Sequence, residues 1–150
     1  MPQFQFNLEP VLKTRKAAEQ HHQRIVATLE TKRRELEERL IRLQRAIEEG
    51  RLGLRHQLSG PLAMADLRAQ AGSVTHARRG ADAIARELGV LMKQMDDARA
   101  KLRDAMARRR AIELLKERRL HEWTLQMNRV EQAAMDELAV INAARREMHS

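Results

Sequence analysis

The sequence predicts an all-α fold, a long antiparallel two-helix coiled coil with a short helical segment at the reversal. Three observations carry the prediction: a near absence of aromatic residues, two long stretches with apolar residues at heptad spacing, and a Gly/Pro-containing break between them. Phe4, Phe6 and Trp123 are the only aromatics, and there is no Tyr. A compact globular core draws on several large rings, whereas a narrow Leu/Ala seam between helices needs none. Charged residues make up 33% of the chain, and with helical periodicity that composition is expected of a long helix or coiled coil.

The first helix is expected over about residues 8–58. Asn7 offers an N-cap, and Pro10 falls in the first turn, where its missing N–H costs little. Heptad a positions fall at 12, 19, 26, 33, 40, 47 and 54, with d positions at 8, 15, 22, 29, 36, 43 and 50. Arg15, Glu19, His22 and Arg33 interrupt this seam, so it reads as weak in its first half and strong in its second. Glu30–Arg34, Glu35–Arg39 and Glu38–Arg42 have the i,i+4 spacing of favourable surface pairs.

Gly50, Gly53 and then Ser59-Gly60-Pro61 read as the end of this helix. A short helix is expected over 61–71, started by Pro61 and stopped by Gly72-Ser73, so that the reversal occupies about 59–80. The second long helix is expected over about 81–147. Ile84, Leu88, Leu91, Met95, Ala98, Leu102 and Ala105 share one heptad frame; Leu120, Trp123, Met127, Val130, Ala134 and Ile141 share another. The offset between the frames predicts a stutter near Arg108-Arg109-Arg110. A short, Gly-rich reversal between two long helices favours folding back as an antiparallel pair. Residues 1–150 are expected to form one coiled-coil domain with both termini at one end.

The chain has no cysteine, which removes disulfides and thiolate metal sites. Its N-terminus has neither the basic patch nor the apolar run of a signal peptide, and no stretch approaches the roughly 20 apolar residues needed to span a bilayer. The expected location is therefore the cytoplasm, with no direct membrane insertion. A net charge of +8 raises nucleic acid or acidic proteins as partners, but the excess is largely interleaved with acids.

No Gly-rich phosphate loop, HExxH, GxSxG or EF-hand pattern occurs. His21-His22 and His121-Glu122 are adjacent residues that do not face each other on a helix, so neither pair makes a chelate and both read as surface groups. The sequence thus offers no catalytic residue, metal ligand or cofactor site, and the chain is expected not to be an enzyme. Lys32-Arg33-Arg34 and Arg108-Arg109-Arg110 suit either phosphate contact or a solvated face, and no aromatic platform accompanies them for base stacking. Trp123 reads either as seam or as a partner anchor. Phe4 and Phe6, preceding the helix, either cap the coil or dock elsewhere.

Two segments carry a family resemblance. FQFNLEPVLKTRKAAEQ, Phe4 to Gln20, has the spacing F-x-F-x-L-x-x-V-L-x-x-R-x-x-x-E. LLKERRLHEWTLQMNRVEQAAMDELA, Leu114 to Ala139, contains ERR (Glu117 to Arg119), NRVEQ (Asn128 to Gln132) and MDELA (Met135 to Ala139). Together they resemble the flagellar FliJ protein family of the bacterial flagellar export apparatus. The resemblance implies an antiparallel coil similar to the γ stalk of rotary ATPases. It also implies binding to the hexameric export ATPase and to the cytoplasmic domain of the export gate membrane protein, with escort and recycling of export chaperones. The location it implies is peripheral, at the cytoplasmic face of the inner membrane. On this reading the ring-facing tip includes Phe4, Phe6, Arg15, Asp136 and Glu137. Arg118, Arg119, Trp123 and Arg129 follow along the shaft. A basic nucleic-acid-binding coiled coil and a structural spacer in another assembly are the alternatives.

Overall fold

The computed structural model describes residues 2–58 and 63–150. It is all-α, with two helices, α1 (Glu9–Leu58) and α2 (Met64–Met148), that pack against each other, and no strand occurs among the described residues. The chain divides into two compact units: one comprises Gln20–Asp104, the other Met1–Glu19 with Ala105–Ser150.

In the Gln20–Asp104 unit the helices run antiparallel. Glu30 of α1 meets Arg99 of α2, Leu43 lies beside Gly80, and Gly50 lies beside Val74. Each advance along α1 is matched by a retreat along α2. Leu36, Ile84, Leu91 and Met95 form the buried core, flanked by Leu29, Leu40, Leu43 and Leu88. Every heptad a and d position read from α1 in this unit, from His22 to Leu54, is buried or half-buried. The period-3.5 frame therefore predicted the packed face correctly, because burial of that stripe is the main force holding one helix to the other.

Ser59, Gly60 and Pro61 lie outside the described residues. α1 ends at Leu58, the bound expected for it, but Gly50 and Gly53 do not break it. Likewise the short helix expected over 61–71 does not stop at Gly72-Ser73: α2 begins at Met64 and continues through Gly72, Gly80 and Gly89. None of these described glycines has positive φ. Glycine costs a helix about 1 kcal/mol relative to Ala, a penalty that tertiary packing offsets here. A Cβ on Gly50 would run into Val74 Cγ2, and one on Gly80 would sit 3.2 Å from Leu43 Cδ1. These glycines are notches that let the opposing side chain seat against backbone.

Gly50 and Gly72 should therefore respond oppositely to Ala. At Gly72 a Cβ meets nothing within 4 Å, so Gly72→Ala should stabilise by about 0.5–1 kcal/mol through helix propensity. At Gly50 that gain is set against overpacking of about 1–3 kcal/mol, because Val74 is buried and its β-branched side chain has one strongly preferred helical rotamer. Net destabilisation is expected, read as opposite shifts in thermal midpoint.

The expected i,i+4 pairs Glu30–Arg34, Glu35–Arg39 and Glu38–Arg42 are not among the ion pairs of the described residues. Glu30 reaches across to Arg99 at 3.7 Å, and the pair that forms along α1 is Arg33–Glu37 at 3.8 Å. The stutter is also displaced. Past Ala105 and as far as Trp123, the half-buried positions on α2 are Arg109, Ile112, Glu113, Leu115, Lys116 and Trp123, of which Arg109, Lys116 and Trp123 keep the seven-residue spacing of Leu88, Met95 and Leu102. Only after Trp123 does the spacing shift, to Met127. The thin apolar seam at Arg109 reflects a polar residue holding a seam position rather than a slipped frame.

Candidate docking site

The unit formed by Met1–Glu19 and Ala105–Ser150 holds every candidate partner-binding residue read from the sequence. Its helices are also antiparallel. Glu19 of α1 forms a close ion pair with Arg109 Nε of α2, and Glu9 Oε2 lies 2.7 Å from Lys116 Nζ. The heptad alone marks Glu19 as an acidic interruption of the α1 seam, and Arg109 lies in the basic run where the stutter is expected. Set antiparallel, the two meet.

Glu19 is buried, and the Arg109 side chain is 22% exposed. Arg109 Nη1 also donates to Glu113 Oε2 at 2.6 Å, and Arg110 Nη1 lies 3.4 Å from the same oxygen. The hydrogen bond from Arg109, with its charge, holds the Glu113 carboxyl below the usual glutamate range. Chiefly through the same bond, Glu113 raises the guanidinium of Arg109 further above its already high value. In a polar cluster of this kind the desolvation of the charges offsets much of their attraction, whereas removing one partner leaves the other uncompensated. Arg109→Ala, which strands Glu19, should lower the thermal midpoint more than the double variant Glu19→Leu/Arg109→Leu. The stabilisation linked to Glu113 is complete above the ordinary glutamate value near 4.5 and is lost as pH falls through the lowered folded value. Arg109→Leu should flatten that acid limb in melts taken from neutral pH down to about pH 2.

The segment before α1 packs onto α2. The Glu9 N–H donates to the Phe6 carbonyl at 3.1 Å, and Leu12 N–H to Leu8 at 2.9 Å. Asn7 lies in the turn before the helix, so the Phe6 carbonyl closes the α1 start where Asn7 was expected to cap it. Phe6 is buried, with Lys116 Nζ 6.0 Å and Arg119 Cζ 5.8 Å from its ring centroid, a geometry that attracts cations to the ring face. Phe4 and Trp123 stand 6.0 Å apart, tilted by 57°, within the range of favourable aromatic pairs. The chain's three aromatics thus clasp the N-terminal segment to α2, with Phe6 committed to internal packing and Phe4 and Trp123 half-exposed. Lys116 and Glu9 complete the clasp, and neither carried a signal in sequence beyond its charge.

Beyond the clasp, α2 continues with every residue from Asn128 to Met148 exposed. Val130, Ala134, Glu137 and Ile141 follow Trp123 and Met127 along one face. Val130 is 56% exposed and Ile141 43%. Arg129 and Asp136 share the opposite face, lining a shallow groove with Leu125 and Gln132. Arg118 and Arg119 are exposed on the turns before Trp123, and Arg15 is half-buried on α1. The structure therefore joins Phe4, Phe6, Arg119 and Trp123 in one cluster, pairs Arg129 with Asp136 on one face, and sets Glu137 in line with the apolar stripe. No three of His, Cys, Asp or Glu converge as a metal-binding group among the described residues, and His21 and His22 stack edge-on at 5.5 Å.

The arrangement is a clasped helix pair continuing into a helix with a bare apolar stripe, and its chemistry is that of helix-in-groove docking. A family model described as the flagellar FliJ protein matches residues 4–148, essentially the whole sequence. The chain belongs to the flagellar FliJ protein family. It is by that membership a component of the flagellar export apparatus. No curated protein and no solved structure matches the chain significantly. The FliJ match spans the clasp and the exposed end of α2 alike, and no helix of the described residues is long and apolar enough to cross a membrane.

Proposed function

We propose that this FliJ-family chain is the coiled-coil stalk of the flagellar type III export machine, docking through the clasped end of α2 onto the hexameric export ATPase. The observation that carries the reading is the stripe of Val130, Ala134 and Ile141, which continues the half-buried positions Trp123 and Met127 into a stretch where every residue is exposed. A seam of Val, Ala and Ile left in water forgoes about 25 cal/mol per Å² of apolar area, and a groove in a partner recovers it. Arg118 and Arg119, exposed beside the clasp, give such a partner a cationic rim.

In this role the chain catalyses no reaction and raises the hydrolysis rate of the ATPase it enters. It also contacts the cytoplasmic domain of the export gate and escorts and recycles export chaperones, at the cytoplasmic face of the membrane. The test is co-purification with the export ATPase, followed by hydrolysis assays with and without the chain. Arg118→Glu/Arg119→Glu should weaken association about tenfold or more while leaving helical circular dichroism unchanged. Undiminished association would remove these arginines from the interface, and neither association nor stimulation by the unaltered chain would overturn the reading.

A further inference from the structure

Along most of the chain acids and bases alternate, but residues 50–80 break the pattern. Arg51, Arg55, Arg68, Arg78 and Arg79, with His56 and His76, share that stretch with a single acid, Asp66. The antiparallel register of the Gln20–Asp104 unit brings Arg51, Arg55 and Arg68 to one end, whereas Arg78 and Arg79 lie level with the neighbours of Leu43. Glu48 shares a groove with Arg51 and Arg55, and Arg55 has an interaction within the protein. Gly50 lies against Val74 and Gly53 against Gln70, which brings Arg55 level with Arg68 across the helix pair. At 100° per residue Arg51, Arg55 and Leu58 occupy one side of α1, and Met64 and Arg68 one side of α2. All five are exposed. Among the described residues, Arg51, Arg68, Arg78 and Arg79 form no ion pair.

The same end exposes large apolar side chains: Leu52 is 55% exposed, Met64 58% and Leu58 62%. Like charges held together repel, and apolar side chains in water forgo burial. A duplex answers the first cost and leaves the second, and an acidic protein surface answers both only where it carries an apolar groove shaped to these side chains. No aromatic residue lies between Phe6 and Trp123 to stack on exposed bases. An anionic bilayer surface answers both, since phosphate headgroups neutralise arginine while the boundary with the acyl chains accepts Leu and Met.

We infer that this end of the α1/α2 pair is a docking surface for anionic lipid. Arg51, Arg55 and Arg68 engage headgroup phosphates, and Leu52, Leu58 and Met64 enter the headgroup–acyl boundary without spanning the bilayer. The site is separate from the clasp and stands independently of the proposed ATPase docking. Each arginine near an anionic leaflet is worth about fivefold in affinity, an effect that fades over a Debye length of about 8 Å at physiological salt.

The test is sedimentation of the full chain with phosphatidylcholine vesicles, with or without phosphatidylglycerol as roughly a third of the lipid. Binding to the anionic vesicles alone, weakening with salt, is expected. Arg51→Glu/Arg55→Glu/Arg68→Glu should lose about a hundredfold, and Leu58→Ser/Met64→Ser about tenfold. Arg145→Glu/Arg146→Glu, at the other end of α2, should lose nothing, and all variants should keep their helical circular dichroism and stimulate the ATPase as the parent does. Equal binding to neutral vesicles, or none to anionic ones, overturns the inference. It is equally overturned if the serine variant binds undiminished while duplex DNA binds and is lost with the arginines, which assigns the patch to nucleic acid.

Discussion

Leu91→Ala is expected to lower the unfolding free energy by roughly 2–5 kcal/mol, the range for a Leu→Ala cavity in a packed core. Leu91 is 2% exposed and meets Leu36, Ile84 and Met95, with Leu40 and Leu88 at the margin. A pair of helices has no second layer from which neighbours can move in, so the cavity should relax little. Domains of this size hold only about 5–15 kcal/mol in total, which makes this one side chain a large share. Denaturant melts should show a lower midpoint at unchanged slope. Val90→Ala, adjacent in sequence but 59% exposed, should stay within about 0.5 kcal/mol. A comparable loss at both positions would mean that the heptad frame does not define the core.

That frame was legible in the sequence for a physical reason. Burial in a two-helix coil is decided locally, by which residues fall on a stripe of period 3.5, and the a and d positions of α1 from Leu8 to Leu54 are all buried or half-buried. What sequence could not resolve depended on the other helix. Gly50 reads as a helix breaker until Val74 stands opposite it. Glu19 reads as an interruption until the antiparallel register sets Arg109 against it. Glu30 was matched to its neighbour Arg34, yet Arg99 reaches it from α2. The family motifs fell at the two ends of the chain, and there the structure brings Phe4 against Trp123 and Phe6 beneath Arg119. Spacing along one strand of sequence carries no information about such meetings. Register does, and register is a property of the pair.

Val130→Asp/Ile141→Asp should give the opposite signature to Leu91→Ala: unchanged folding and lost docking. Both side chains are exposed, as is all of α2 from Asn128 to Met148, so a carboxylate there meets water in the free protein and costs little beyond helix propensity. On the proposed ATPase, the same carboxylate would be buried in an apolar groove without a partner, which is strongly unfavourable. Truncating a single interface anchor commonly costs 2 kcal/mol or more, about thirtyfold in affinity, and burying two unpaired charges should exceed that. The expected outcome is a melting profile like the parent's, with association and ATPase stimulation reduced at least thirtyfold. Arg129→Ala/Asp136→Ala, on the opposite face of the same helix turns, separates two ways of binding. Loss confined to the Val130/Ile141 variant means that one face of α2 is gripped, whereas equal loss from both means that the partner encloses the helix. Retention of binding in both would leave the bare stripe without the role proposed for it.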